Sequence, residues 1–212
     1  MLPIGIVSKS NRTYYYLLKE LKSRSLPFRV IDDIRDAISF KVVIIVIDDE
    51  LEFDYSSIKG TKFIKLYENG DLDSIKRAVT MAVFYAKATQ KDNINNMVMG
   101  IDPGIAKTGL AVLINGIESY KNIVHNDKEL FQEVKWISGI SKNCKIFVFI
   151  GSGNKKIANK IKIYLQNEEI IPPSNIFLIK ENHSNIGVSD ADAALEIAFR
   201  GYQKLFLLGL LK

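Results

Sequence analysis

The segment Met99-Gly-Ile-Asp-Pro-Gly-Ile-Ala-Lys-Thr-Gly-Leu-Ala-Val112 joins an apolar run to a carboxylate, a tight turn, a cation and a second apolar run. A carboxylate at the end of a buried strand is held on a rigid edge, and Asp102 there is a hard oxygen ligand suited to a divalent cation. Gly104 and Gly109 let the backbone turn tightly, so that a phosphate can come close. Lys107 stands at the tip, where its charge can meet that phosphate. Asp-Pro-Gly is also an ordinary turn sequence, and for the tripeptide alone the turn is the simpler reading. One carboxylate does not suffice for phosphodiester hydrolysis by two metal ions. That chemistry takes several converging acids around cations roughly 3.5–4 Å apart, which relieve the acids' mutual repulsion. The partners of Asp102 must therefore come from the ends of neighbouring elements.

Those elements follow from periodicity. Val98–Ile101 and Thr108–Ile114 read as strands, and Asn115-Gly116 between Ile114 and Ile117 is a two-residue hairpin signal. A third strand runs from Ile117 to about Val124. Asn126, with Glu129 three residues on, opens a helix that carries Leu130, Phe131, Val134, Ile137 and Ile140 on one face. Lys145–Ile150 is a fourth strand, followed by a lysine-rich helix holding Ile157, Ile161 and Leu165. Ile176–Ile179 is a fifth strand, and Ser189 caps a last helix through Ala194, Ile197 and Ala198. The order is βββαβαβα, which is the order of the RNase H fold with its mixed five-stranded sheet.

The first half reads differently. Strands at Ile4–Val7, Phe28–Ile31, Val42–Ile47 and Phe63–Leu66 alternate with a helix through Tyr14, Leu17, Leu18 and Leu21, capped by Ser10 or Asn11. A longer helix runs from Leu72 to about Ala88. Val42–Ile47 is apolar on both faces, as in a buried parallel strand. This is a small α/β unit with a mostly parallel sheet. The polar stretch Gln90–Asn96 marks the boundary, giving domains 1–93 and 94–212. Asp32-Asp33 and Asp48-Asp49-Glu50 follow buried strands and offer a second acidic site, although turns and caps explain them as well. Tyr14, Tyr15 and Tyr16 with Lys9 and Arg12 offer an aromatic and basic surface for nucleic acid, against the plainer reading of exposed helix tyrosines.

The 99–112 segment resembles the RuvC signature, in which a buried strand ends in Asp, then Pro-Gly, and a Thr-Gly opens the second strand. Ser189-Asp-Ala-Asp-Ala-Ala-Leu-Glu-Ile-Ala198 resembles the helix that carries the final acid in RuvC and its YqgF relatives. The register matches Asp190, with Ala193, Ala194 and Ile197 behind it. RuvC has a second acid where this chain has Ala193, and Asp192 lies one residue from it. Without the resemblance, Asp190 and Asp192 simply complement the positive end of a helix dipole. RuvC also carries a Glu at the end of its fourth strand, but here that strand runs into Gly151-Ser-Gly-Asn154. YqgF-like proteins have a Gly-rich loop there and a Glu after the fifth strand, with a hydroxyl residue three positions later. Glu181 and Ser184 fit that pattern, while Asn182 replaces the usual basic residue.

The resemblance spans about Met97 to Gln203 and implies a metal-dependent nuclease acting on DNA, single-stranded or branched, of the kind used in repair and recombination. Asp102, Glu181 and Asp190 would be catalytic, and with Asp192 they would hold Mg²⁺ or Mn²⁺. Lys107, Gly151, Ser152, Lys155, Lys156, His183 and Ser184 would contact nucleic acid, the Gly151 loop as a phosphate cradle opening a helix. For the lysines a solvated face is the plain alternative, and for His183 a loop residue without a role. The missing fourth-strand acid supports a second expectation: a weak or inactive nucleic-acid-binding scaffold. An actin-like or sugar-kinase reading is set aside, because it needs two such domains and a second phosphate motif.

Composition fits this picture without proving it. Of 212 residues, 47% are hydrophobic, and Lys and Arg outnumber Asp and Glu by 29 to 24, a mild lean toward an anionic partner. A lone cysteine, Cys144, excludes an intrachain disulfide or a thiolate zinc cluster and suits a cytoplasmic protein. The start Met1–Val7 lacks the pattern of a signal peptide. The apolar tail Leu205–Leu211 is far short of the roughly 20 residues that span a bilayer. It reads as the end of a packed helix or a subunit contact, so a homodimer is among the expectations and a membrane is not.

Overall fold

The computed structural model describes residues 3–8, 11–47, 58, 60–67, 70–87, 95–140, 144–180 and 189–211. The chain forms two compact units, Met1–Lys87 and Ala88–Lys212.

The first unit is built on a four-stranded parallel sheet of β1 (Ile4–Ser8), β2 (Phe28–Val30), β3 (Val42–Ile47) and β4 (Lys62–Tyr67) in the order β2-β1-β3-β4. Helices α1 (Asn11–Ser23) and α2 (Leu72–Lys87) cover one face, burying Leu17, Leu21, Ile75, Val79 and Ala82 against Ile4, Ile6, Ile44 and Leu66. The opposite face, with Val7, Val43 and Ile45, packs on a 3₁₀ turn at Ile34–Ser39 that periodicity does not announce. Asp33 caps that turn and pairs with Arg35, whose hydrogen bonds hold its carboxyl down at about 2. This acid is thus engaged as a local cap. Asp48, Asp49, Glu50 and Lys9 lie outside the described residues. Tyr14 and Tyr16 rest on the core, while Tyr15 is exposed and meets Tyr16 edge-on.

The second unit carries the five-stranded sheet, in the order β7-β6-β5-β8-β9. Strands β5 (Asn96–Pro103), β6 (Thr108–Ile114) and β7 (Ile117–Val124) form an antiparallel meander, and β8 (Lys145–Gly151) and β9 (Ile176–Ile179) run parallel to β5. Helices α3 (Asp127–Ser138), α4 (Lys155–Asn167) and α5 (Asp190–Leu207) complete the βββαβαβα order. The fold is α/β, a mixed sheet of the RNase H type preceded by a parallel α/β unit. Asn115 and Gly116 both take positive φ, at 49° and 81°, as the two-residue hairpin turn requires. Strand β5 extends past the expected Val98–Ile101, so that Asp102 and Pro103 lie within the ladder instead of beyond it.

Helix α5 lies across one face of the sheet. Its Ile197, Ala198 and Leu205 pack on Val98 of β5, Leu113 of β6 and Phe147 and Phe149 of β8. Side chains alternate along a strand, so the neighbouring residues Met97, Met99 and Ile101 point to the other face, where they too are fully buried. Helices α3 and α4 pack on β7 and β8, and stack Phe131 on Tyr164.

Candidate functional site

Two glycines decide how closely α5 approaches. A Cβ at Gly100 would stand 2.6 Å from the Ala198 amide nitrogen and would run into the Ala194 carbonyl. A Cβ at Gly109 would run into the carbonyl oxygen of Asp190. On the helix the facing residues are small as well: Ala191, Ala194, Ala198 and Gly201 are all buried. Gly109 is therefore a packing residue inside β6, which corrects its reading as a turn glycine. Gly104 is the residue of the turn, placed so that a Cβ would strike the carbonyl oxygen of Lys107.

This packing places the first acid relative to the last. Asp102 is paired across the ladder with Gly109, and residues directly opposite in an antiparallel pair project on the same face. That face is the one α5 covers, since Val98 and Gly100 share it with Asp102 by alternation. Asp102 and Asp190 therefore stand at one edge of the sheet, on one face, separated by Gly109. Asp102 is half-buried.

Ser189 caps α5 by accepting a hydrogen bond from the Asp192 amide at 3.2 Å, and its hydroxyl donates to Asp192 Oδ2 at 2.6 Å. The two acids of this first turn then go different ways. Asp190 Oδ2 is shielded from solvent and accepts no hydrogen bond, while Lys107 Nζ lies 2.8 Å from it as an ion pair. Asp192 turns toward β7, where Lys121 Nζ donates to its Oδ1 at 2.7 Å and also lies 3.7 Å from Glu118. Lys121, with help from Ser189, holds the Asp192 carboxyl below the usual carboxylate range, and Asp192 in turn raises Lys121. Asp190 thus starts its helix over the ladder partner of Asp102, and Asp192 is drawn off to a separate contact. Lys121 is a residue that sequence reasoning passed over. Nothing local ties it to an acid 71 positions away.

The end of β8 offers no acid. Ile101 pairs with Ile150, so the next position, beside Asp102, is Gly151, which pairs in turn with Ile179 of β9. The Ser152 amide is donated to the Ile179 carbonyl at 2.9 Å, and Asn154 caps α4 by accepting from the Ile157 amide at 3.2 Å. These two N–H groups are satisfied within the chain, which narrows the cradle to the remaining first-turn groups. Lys155 and Lys156 are exposed there, and Lys160 is paired with Asp127 of α3. Glu181, His183 and Ser184 lie outside the described residues. Among the described residues no group of three or more His, Cys, Asp or Glu side chains is gathered to hold a metal ion.

The donor set nevertheless suits Mg²⁺ or Mn²⁺ in chemistry. Two carboxylates share one edge, and one of them keeps a buried oxygen whose only ionic neighbour among the described residues is an ammonium.

No family model and no curated protein matches the chain. Among solved structures, T. thermophilus RuvC in complex with a Holliday junction substrate matches at a TM-score of 0.40 and 15% identity. The match covers 56% of this chain and 99% of that one. No described helix is long and apolar enough to cross a membrane.

Proposed function

We propose that the second unit is a metal-dependent nuclease domain that hydrolyses phosphodiester bonds in nucleic acid, DNA in the first instance. The observation that carries this reading is that the start of α5, with Asp190, is seated on Gly109, the ladder partner of Asp102. The resemblance of the 99–112 segment and of the α5 start to RuvC and YqgF supports it independently of the contacts.

In this reading Asp102 and Asp190 hold the metal ions, and Glu181, which follows β9 by two residues in sequence, joins them. Bound Mg²⁺ or Mn²⁺ supplies Lewis acidity at the scissile phosphate and at the attacking water. The backbone of Asp102 is fixed by ladder pairing on both of its neighbours, and that of Asp190 by the helix start and the seat beneath it, so the roots of both carboxylates are set before metal binds. Lys107 presents a cation on the side from which a phosphate arrives. Lys155 and Lys156 add positive charge beyond the end of β8, where the backbone of a strand can pass.

A second reading is a nucleic-acid-binding scaffold with little or no catalysis. Gly151 beside Asp102 favours it, because an acid at that strand end would complete the set. A panel of labelled single-stranded, duplex and branched DNA and RNA, each with Mg²⁺, Mn²⁺ and EDTA, separates the two. Cleavage that EDTA abolishes supports the nuclease. Binding without cleavage under every condition supports the scaffold.

A further inference from the structure

The loop between Pro103 and Thr108 is short and closed, since those two residues still pair across the ladder and Gly104 packs on the Lys107 backbone. It sets the root of Lys107 beside the start of α5 and leaves a flexible stem to reach it. The ammonium ends 2.8 Å from Asp190 Oδ2, the oxygen that is shielded from solvent and accepts no hydrogen bond. Building on Asp190 as a metal ligand, we propose that Lys107 is a displaceable internal counter-ion. It occupies the cation position on Asp190 in the metal-free protein, and metal binding releases its ammonium to the incoming phosphate.

Three observations favour a replaceable contact over a fixed strut. The Lys107 side chain is 48% exposed, so its ammonium can leave Asp190 for solvent or for an incoming anion without unpacking anything. The pair lacks hydrogen-bond alignment, unlike Lys121 with Asp192, where a hydrogen bond to lysine and another to Ser189 fix the carboxylate. Finally, two carboxylates at one edge repel each other, and a lysine cation is an available neutraliser until a divalent ion with twice the charge arrives. An ammonium drawn onto Asp190 has less of its charge and fewer of its N–H groups to offer a phosphate, so metal and nucleic acid should bind cooperatively, each raising the affinity of the other by the same factor.

The test is Mn²⁺ binding to the full-length protein by calorimetry, with and without a phosphorothioate oligonucleotide that resists cleavage, for wild type, Lys107→Met, Lys107→Arg and Asp190→Asn. Lys107→Met should bind Mn²⁺ roughly two- to fivefold tighter in the absence of oligonucleotide, because the competing ammonium is gone. It should also bind the oligonucleotide more weakly in Mn²⁺, and the coupling between the two ligands should fall toward one. Lys107→Arg should stay near wild type. Unchanged or weaker Mn²⁺ binding in Lys107→Met, with Asp190→Asn abolishing it, overturns the displacement and leaves Asp190 a ligand. Binding unaffected by Asp190→Asn overturns both. If Lys107→Met fails to fold, lysine side-chain NMR of the wild type decides. The Lys107 signal should shift to that of a free lysine on adding Mg²⁺, and an unmoved signal at saturation overturns the proposal.

Discussion

Gly109 lies directly beneath Asp190, so close that a Cβ on the glycine would collide with the carbonyl oxygen of the aspartate. Because Gly109 is also the ladder partner of Asp102, this one position joins the two carboxylates of the candidate site.

Replacing Gly109 with alanine therefore tests both stability and geometry. The obstructing atoms are backbone, which cannot rotate away, so α5 must shift. The expected cost is about 1–3 kcal/mol by denaturant unfolding, with weakened metal binding alongside. A variant as stable as wild type would show that the helix is not seated on this glycine.

The hairpin is a second, separate lever. Gly116 has φ 81°, and a Cβ there would come 2.8 Å from the Tyr202 ring. Gly116→Ala should lose about 1–2 kcal/mol from the left-handed conformation, with any displacement of Tyr202 added to that. The loss should appear in unfolding midpoints. Metal binding should change little, since the ladder pair at Asp102 lies at the far end of β5 and β6.

Asp192 gives a pH signature. Lys121 and Ser189 depress its carboxyl below the ordinary 3.8, so the stability it contributes is fully present above that value. It is lost as pH falls through the lower, folded value. Carboxyl NMR titration should find Asp192 titrating below 3.8 in wild type and moving back toward it in Lys121→Met. At neutral pH the same substitution should cost little, because the contact is exposed. An Asp192 that titrates normally in the wild type would contradict the contact.

How much of this was legible beforehand depends on how local each signal is. The Asn115-Gly116 turn, the Ser189 cap and the buried runs of β5 and β6 each follow from a few adjacent residues, and with the later strands and helices they give the βββαβαβα order of elements. The missing acid at Gly151 was visible too. The role of Gly109 was not: the strand Thr108–Ile114 already contains it, but only the packing of α5 shows that its missing Cβ lets the helix come close. A further hint did exist: Ala191, Ala194, Ala198 and Gly201 form a line of small residues at helical spacing, which marks a face built for close approach. The partition of Asp190 from Asp192 depended on Lys107 and Lys121, which reach the helix from a loop and a strand distant in sequence.

The most direct test of the site is Mg²⁺-dependent cleavage by Asp102→Asn beside wild type, on whichever substrate the panel finds most readily cut. The substitution keeps the shape of a half-buried side chain and removes its charge. Cleavage should fall at least about a hundredfold, with folding intact and nucleic-acid binding kept or improved. Full cleavage by a correctly folded Asp102→Asn protein would contradict the account.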